Sequence, residues 1–328
     1  MAGGAEVEAS RVVEAAGAGV GAQDPGQELA GLVDILPPRI REAVAGKGSE
    51  LMEVALDLGR PPEIRLHSAP PVVAEECGPV SRTDLSYIVA KLGARFRDDR
   101  RAGVDGTLHR ISAIVNTRGE IVGVTMRVGR HVPGAAQALS GVLRQGKGVL
   151  LVGPPGSGKT TVLRDVCRFL SCEMNRKVVV VDTSGEIGGW GDVSHPAIGR
   201  ARRLQVPEVT QQYRVMIEAV QNHTPEYVVI DEIGRPEEVD AARTIARRGV
   251  KLIATCHGRG ISTVLSNPVL RPLMGVSASW EIEDSPVFDS LAEVSSPGRI
   301  VVHRDLRKAI AWALRARAGG GSGDRRRT

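Results

Sequence analysis

At 328 residues, with 42% hydrophobic and 25% charged side chains, the chain can bury a sizeable core, and its length suits two moderate domains. No apolar run reaches the roughly 18 residues of a membrane-spanning helix, so such a span is excluded. The net charge of +5 is uneven: Arg299 to Thr328 carries nine Arg or Lys against Asp305 and Asp324, while the rest of the chain is slightly acidic. That distribution argues against a domain-wide nucleic-acid surface, and 3% aromatic content leaves no stacking platform for bases.

Four cysteines (Cys77, Cys167, Cys172, Cys256) form no CxxC pair and have no histidine at metal-ligand spacing, which fits free thiols in a reducing compartment and no structural zinc. Residues 1–27 are rich in Ala and Gly, with no apolar signal-peptide core, and are expected to be disordered. Glu6, Glu8, Glu14 and Asp24 oppose a transit peptide, so the expected compartment is the cytoplasm.

Residues 28–131 read as a small α+β domain. Short helices are expected around LAGLVDIL and PRIREAVA, a strand at MEVALDL, and a helix at SRTDLSYIVAKLG. In that helix Ser81 or Thr83 caps the start, Leu85, Ile88, Val89 and Leu92 form the apolar stripe, and Gly93 suits a left-handed terminus. RISAIVNTRGEIVGVTMRVGR alternates on both sides of an NTRG turn and predicts a hairpin, with Arg127 facing outward. From 132 to 318 strands alternate with helices, as in a parallel sheet with crossover helices. GVLLVG, KVVVVDTS, YVVIDE and KLIATCH are the expected strands, and residues 319–328 are an expected flexible basic tail.

GPPGSGKT at 153–160 matches G-x-x-x-x-G-K-[ST] between an apolar strand and a helical pattern. Gly153, Pro154, Pro155, Gly156, Ser157, Gly158, Lys159, Thr160 and Thr161 are therefore the expected nucleotide-binding residues. Backbone N–H groups of such a loop close around phosphate oxygens, and the helix N-terminus adds positive dipole. Lys159 would reach the outer phosphates of ATP and Thr160 would hold Mg²⁺. YVVIDE ends in Asp231, suited to the Mg²⁺ shell, and Glu232, suited to polarising an attacking water. Two adjacent carboxylates favour hydrolysis over simple nucleotide holding.

The segment SGEIGGWGDVSHPAIG follows the KVVVVDTS strand and should emerge at the phosphate side of the sheet. Glu186 is there the candidate for a second water- or metal-orienting acid, whereas Asp192 and His195 read as turn-forming residues. Thr255 and His257 end KLIATCH where a γ-phosphate sensor would sit.

With DTSGEIGG, HPAIGRARRLQVP, MIEAVQNHTPEYVVIDEIG and ATCHG in order after the P-loop, the sequence resembles the P-loop ATPases of the stage III sporulation protein AA type, over roughly residues 28–305. That group is similar to ring-forming secretion and pilus ATPases and, more loosely, to AAA+ proteins. The resemblance implies an α/β fold: a RecA-like parallel-sheet P-loop ATPase core with a smaller N-terminal α+β domain. It also implies Glu186 in an acidic box, Asp231 and Glu232 as Walker B, His257 in a histidine box, and a homo-oligomer, on the ring analogy a hexamer. Arg127, Arg130, Arg200, Arg202, Arg203 and Arg235 are candidates to complete a neighbour's site. The resemblance also brings in the chloroplast as the alternative compartment.

One departure is that longer relatives continue into an Arg-x-x-x-His nucleic-acid module. Arg299 and His303 have that spacing, but they flank an expected strand, RIVVH. The leading reading is an oligomeric ATPase acting on an unidentified protein partner; the alternative is a nucleotide-dependent binding module whose basic C-terminus meets nucleic acid or an anionic membrane. DLRKAIAWALRARA sets Leu306, Ile310 and Leu314 on one face, and packing of that face on the domain is the favoured outcome. A GTP switch is disfavoured by the lack of an NKxD-like motif, and a small-molecule kinase by Glu232.

Overall fold

A computed structural model describes residues 9–10, 25–93 and 96–320. The disorder expected over 1–27 falls mostly outside them, as does the tail from residue 321; within that first segment β1 (Ala9–Ser10) and residues 25–27, which open a helix, are the exceptions. The chain divides into two units.

One unit comprises Ala18–His131 together with Thr183–Ile198. Its helices are α1 (Pro25–Asp34), α2 (Pro38–Val44) and α3 (Arg82–Lys91). Its strands are β2 (Leu51–Asp57), β3 (Glu63–Leu66), β4 (Val72–Val73), β5 (Arg101–Gly103), β6 (Arg110–Val115) and β7 (Ile121–Arg127), antiparallel in the order β4-β3-β2-β7-β6-β5. α1 starts before the expected LAGLVDIL stretch, at Pro25, a residue whose fixed φ and missing N–H suit a first helical position. Ser81 caps α3 as read: its hydroxyl accepts from the Asp84 N–H at 3.2 Å, while the Asp84 carboxylate accepts from the Ser81 N–H at 2.7 Å. The expected hairpin is β6–β7, with Ile111 opposite Met126 and Ala113 opposite Val124. Inward Val54, Leu56, Ile111, Val124 and Met126 pack on Leu32, Leu36, Ile40, Leu85 and Ile88 of the helices.

The other unit contains Val132–Asp182 and Gly199–Thr328, with β1. In chain order it has α4 (Ser140–Arg144), β8 (Val149–Gly153), α5 (Lys159–Arg168), β9 (Val178–Asp182), β10 (Arg202–Gln205), α6 (Gln212–His223), β11 (Tyr227–Glu232), α7 (Pro236–Arg247), β12 (Lys251–His257), α8 (Ile261–Ser266), β13 (Ser290–Ser296), β14 (Arg299–His303) and α9 (Leu306–Gly320). The sheet runs β1-β14-β13-β8-β12-β11-β9-β10, parallel from β13 to β10. The four expected strands are β8, β9, β11 and β12. β8 and β9 are buried along their whole length, which explains their unbroken apolar runs.

β10 and β13 lack a sequence expectation. RRLQ is a half-exposed edge, and in SLAEVSS the serines and Glu293 break the apolar run although Leu291, Ala292 and Val294 are buried. On α9, Leu306 and Ile310 are buried in the core with Leu314 packed beside them, so its apolar face lies on its own unit.

The glycine-rich segment after β9 is built into the first unit by Trp190. The Trp190 N–H donates to the Thr107 carbonyl at 3.1 Å, and the Trp190 carbonyl accepts from the Gly106 N–H at 2.9 Å. Its ring covers Gly103 and Gly185 so closely that a Cβ on Gly103 would overlap ring carbons and one on Gly185 would lie 2.9 Å away. Gly185, Gly189 and Gly191 all have positive φ, which explains why this stretch needs glycine. The Arg97 guanidinium donates to the Thr183 carbonyl at 2.6 Å and Arg101 to the Ser184 hydroxyl at 3.0 Å. Gly103→Ala should therefore lower the stability of this unit by about 1–3 kcal/mol, the usual cost of overpacking. In a double-mutant cycle with Trp190→Ala, read by urea unfolding, the alanine at 103 should cost much less; equal cost in both backgrounds would refute the overlap.

Candidate functional site

β8 delivers the chain to the P-loop. Gly153 is a place for glycine because a Cβ there would overlap the Val294 carbonyl and lie 2.6 Å from the Ser157 hydroxyl. Gly156 and Gly158 have φ of +75° and +94°, so the loop turns through left-handed backbone before α5 begins at Lys159. Pro155 and Gly156 are exposed, Pro154, Gly158, Thr160 and Thr161 half-buried, and Ser157 and Lys159 buried.

Two features suit this loop to a bound anion. The Ser157 hydroxyl is buried and has no hydrogen-bond partner among the described residues. The Lys159 ammonium donates to the carbonyls of Gly153 at 2.8 Å and Pro154 at 2.9 Å, folded back on the loop's own backbone. Burial pushes this ammonium below its ordinary value, opposed chiefly by Glu232 and also by Cys256 and Asp231. A phosphate would supply both groups with the charge and the acceptors they lack, so the residues present fit a nucleotide's phosphates.

Strand order completes the site. β12 lies between β8 and β11, with His257 opposite Gly153 on one side and Thr255 opposite Glu232 on the other. His257 Nε2 stands 3.2 Å from the Glu232 carboxylate. The register slips between Ile230 and Glu232, so Asp231 stands at the irregularity of the β11–β12 pairing. The Thr255 hydroxyl donates to the Asp231 carbonyl at 2.5 Å, and the Ile233 N–H returns to the Thr255 carbonyl at 2.9 Å. α5 packs on β8, β11 and β12, so Lys159 and Thr160 begin a helix set against the strands that end in Asp231, Glu232 and His257. The donors of Thr160 and Asp231 are hard oxygens, as Mg²⁺ requires.

Glu238 supports the turn that follows. Its carboxylate accepts from the Gly234 N–H at 2.8 Å and the Arg235 N–H at 3.0 Å, capping α7. Burial pushes this carboxyl above its ordinary range, opposed by those two N–H groups. On the opposite side of β8, Glu293 of β13 accepts from the Ile261 N–H at 3.2 Å and lies 3.2 Å from His303 Nε2.

Glu186 belongs to the other unit. Its carboxylate pairs with Arg110 of β6 inside the unit that holds Thr183–Ile198. His195 is buried, and its Nδ1 accepts from the Ala197 N–H at 3.0 Å. The sequence reading missed Gln212, a buried amide that donates to the Glu232 carbonyl at 2.7 Å. Glu238 had a legible signal in RPEE, an acid in the first helical turn; QQYRV carries none that would single out Gln212.

A parallel sheet that gathers a P-loop and an Asp-Glu strand end at one edge defines the fold of a P-loop ATPase. The crystal structure of the ATPase DotB from Legionella pneumophila has a similar fold, with a TM-score of 0.54 and 15% identity over 85% of this chain and 86% of that one. Residues 95–293 match the family described as sporulation stage III, protein AA, and the chain belongs to that family. It is 49% identical over 262 residues to protein SEEDLING PLASTID DEVELOPMENT 1 of Arabidopsis thaliana, covering 79% of this chain and 38% of the relative. It is 48% identical over 306 residues to the uncharacterized protein ycf45 of Porphyra purpurea, covering 88% of this chain and 54% of that protein. The chain thus spans about half the length, or less, of these two relatives. No helix among the described residues is long and apolar enough to cross a membrane.

The hydrogen bond with His303 holds the Glu293 carboxyl below its ordinary value against the opposing effect of burial. For a depressed acid, the stabilisation is complete above the unfolded value of about 4.3 and is lost as pH falls through the folded value. The difference in urea midpoint between wild type and Glu293→Gln should therefore be present at about pH 6 and shrink as pH falls below the unfolded value and through the lower folded one. A difference independent of pH would refute this linkage.

Proposed function

We propose that the protein binds ATP at Gly153–Thr161 and hydrolyses it with Glu232 as the base, working as a homo-oligomer. The observation that carries this reading is the meeting, at the carboxyl ends of neighbouring strands, of a P-loop holding a desolvated Lys159 and a Ser157 hydroxyl without a hydrogen-bond partner among the described residues with the Glu232–His257 pair. Lys159 would leave its two backbone carbonyls for the outer phosphate oxygens, where its charge is stabilised rather than desolvated. Glu232 would accept a proton from the attacking water, and His257, in contact with that carboxylate, would orient it and respond to the γ-phosphate. Thr160 and Asp231 would hold Mg²⁺, which neutralises charge on the phosphates. Glu186 stays with Arg110 and is given no step.

The oligomer is proposed from the likeness to secretion-type ATPases, with a hexameric ring as its specific form and an unidentified protein as the partner. Of the arginines considered for action across subunits, Arg127 pairs with Glu53, Arg130 donates to the carbonyls of Ser49 and Leu51, and Arg200 donates to Ser171 and Asn175. Arg202 and Arg235 are exposed and are the better candidates. An arginine supplied in this way contributes about 10³ to 10⁵ in rate to enzymes that use one. The name of the Arabidopsis relative favours the chloroplast over the cytoplasm expected from the amino-terminal acids.

Mg²⁺-dependent ATP hydrolysis measured across a protein dilution series tests the reading. Turnover per subunit should rise with concentration and vanish in Lys159→Ala and Glu232→Gln. ATP at 100 times its Kd should add about 2.7 kcal/mol of stability to the wild type, read as a melting shift that Lys159→Ala loses. Binding without turnover at any concentration would favour a nucleotide-gated binding module instead.

A further inference from the structure

Glu232 is a half-exposed carboxylate on a strand that has just slipped register, and neither fact fixes where it points. A side chain near solvent samples several rotamers, so its aim is set by the backbone that carries it and by its contact with His257. Two side-chain donors hold that backbone: the Thr255 hydroxyl on the Asp231 carbonyl at 2.5 Å, and the Gln212 amide on the Glu232 carbonyl at 2.7 Å. Thr255 belongs to the neighbouring strand, as expected for a ladder. Gln212 comes from the first residue of α6, 20 positions away in sequence, and is only 3% exposed.

A buried amide need only satisfy its own polar atoms, and many side chains could do that. Gln212 does so on the peptide that carries the proposed base. On the reading that Glu232 is that base, we propose that Gln212 is a positioning residue: its Nε2 fixes the Glu232 carbonyl and thereby aims the Glu232 carboxylate at the water and keeps it against His257. No reacting atom touches Gln212. Its loss therefore acts through Glu232, lowering kcat while leaving the P-loop contacts that set nucleotide affinity.

The test uses the full chain with Gln212→Leu, which removes the donor, and Gln212→Glu, which keeps the shape but has a donor only when protonated. Both should lower kcat at pH 8 at least 10-fold while changing the Kd for a fluorescent ATP analogue with Mg²⁺ less than twofold. As pH falls from 8 to 6 the ratio of Gln212→Glu to wild-type kcat should rise, because desolvation at so buried a position raises a carboxyl above its ordinary value, and on protonation it regains an O–H to donate. The Gln212→Leu ratio should stay flat.

A second readout needs no turnover. In the nucleotide-free protein, the imidazole NMR signals of His257 in Gln212→Leu should move toward those of Glu232→Gln. Wild-type kcat in both variants with His257 signals unmoved would overturn the proposal. So would parallel loss of kcat and nucleotide affinity with no recovery of Gln212→Glu at low pH. Absence of turnover in the wild type at every concentration would overturn the hydrolytic reading and this proposal with it; turnover in the wild type matched by both variants overturns only this one.

Discussion

The buried ammonium of Lys159 is the constraint on which the arrangement of the P-loop unit depends. A cation removed from water is costly unless it is paired, and here it rests on two carbonyls of its own loop, which carry only partial charge. That arrangement is tolerable because β8 and β12 stand next to each other and β11 follows, bringing Glu232 and Asp231 close enough for their charges to oppose the effect of burial. The strand order is thus more than a scaffold. Inserting β12 between the P-loop strand and the Asp-Glu strand puts His257 beside Gly153 and within reach of Glu232 at once.

The same physics governs Glu186, with the opposite outcome. A partly buried carboxylate needs a cation, and Arg110 of β6 provides it. The segment's glycines answer close packing: Gly185 makes room for the Trp190 ring, Gly189 for the Thr107 carbonyl, and Gly191 for the Asp105 side chain, each with positive φ. Glycine permits a tight path as readily as a mobile one, and sequence alone does not separate the two.

What was legible follows from the range of the forces involved. The P-loop, the strands ending in Asp231 and His257, the Ser81 cap and the β6–β7 hairpin are local patterns, each set by residues close together in the sequence. β13 escaped because its burial comes from neighbours on both sides while its own run is interrupted by Glu293 and serines. Gln212 escaped for a stronger reason. Its role exists only once α6 is packed with its first residue over the end of β11, and no spacing in QQYRV encodes that meeting. The Arg110–Glu186 pair is equally non-local, spanning 76 positions.

The chain crosses between the two units more than once. The chain passes between them at His131–Val132, again after Asp182 and back at Gly199, so β9 and β10, paired side by side, are the two ends of a segment anchored in the other unit. Trp190 seals that anchorage through backbone hydrogen bonds and ring packing, which yield far less readily than an exposed loop. Thr183 and Ser184, which open the segment, are held within that same unit by Arg97 and Arg101. Side-chain and backbone hydrogen bonds therefore fix the segment from its first residues through to Trp190. In this fold, the segment richest in glycine is among those with the least slack.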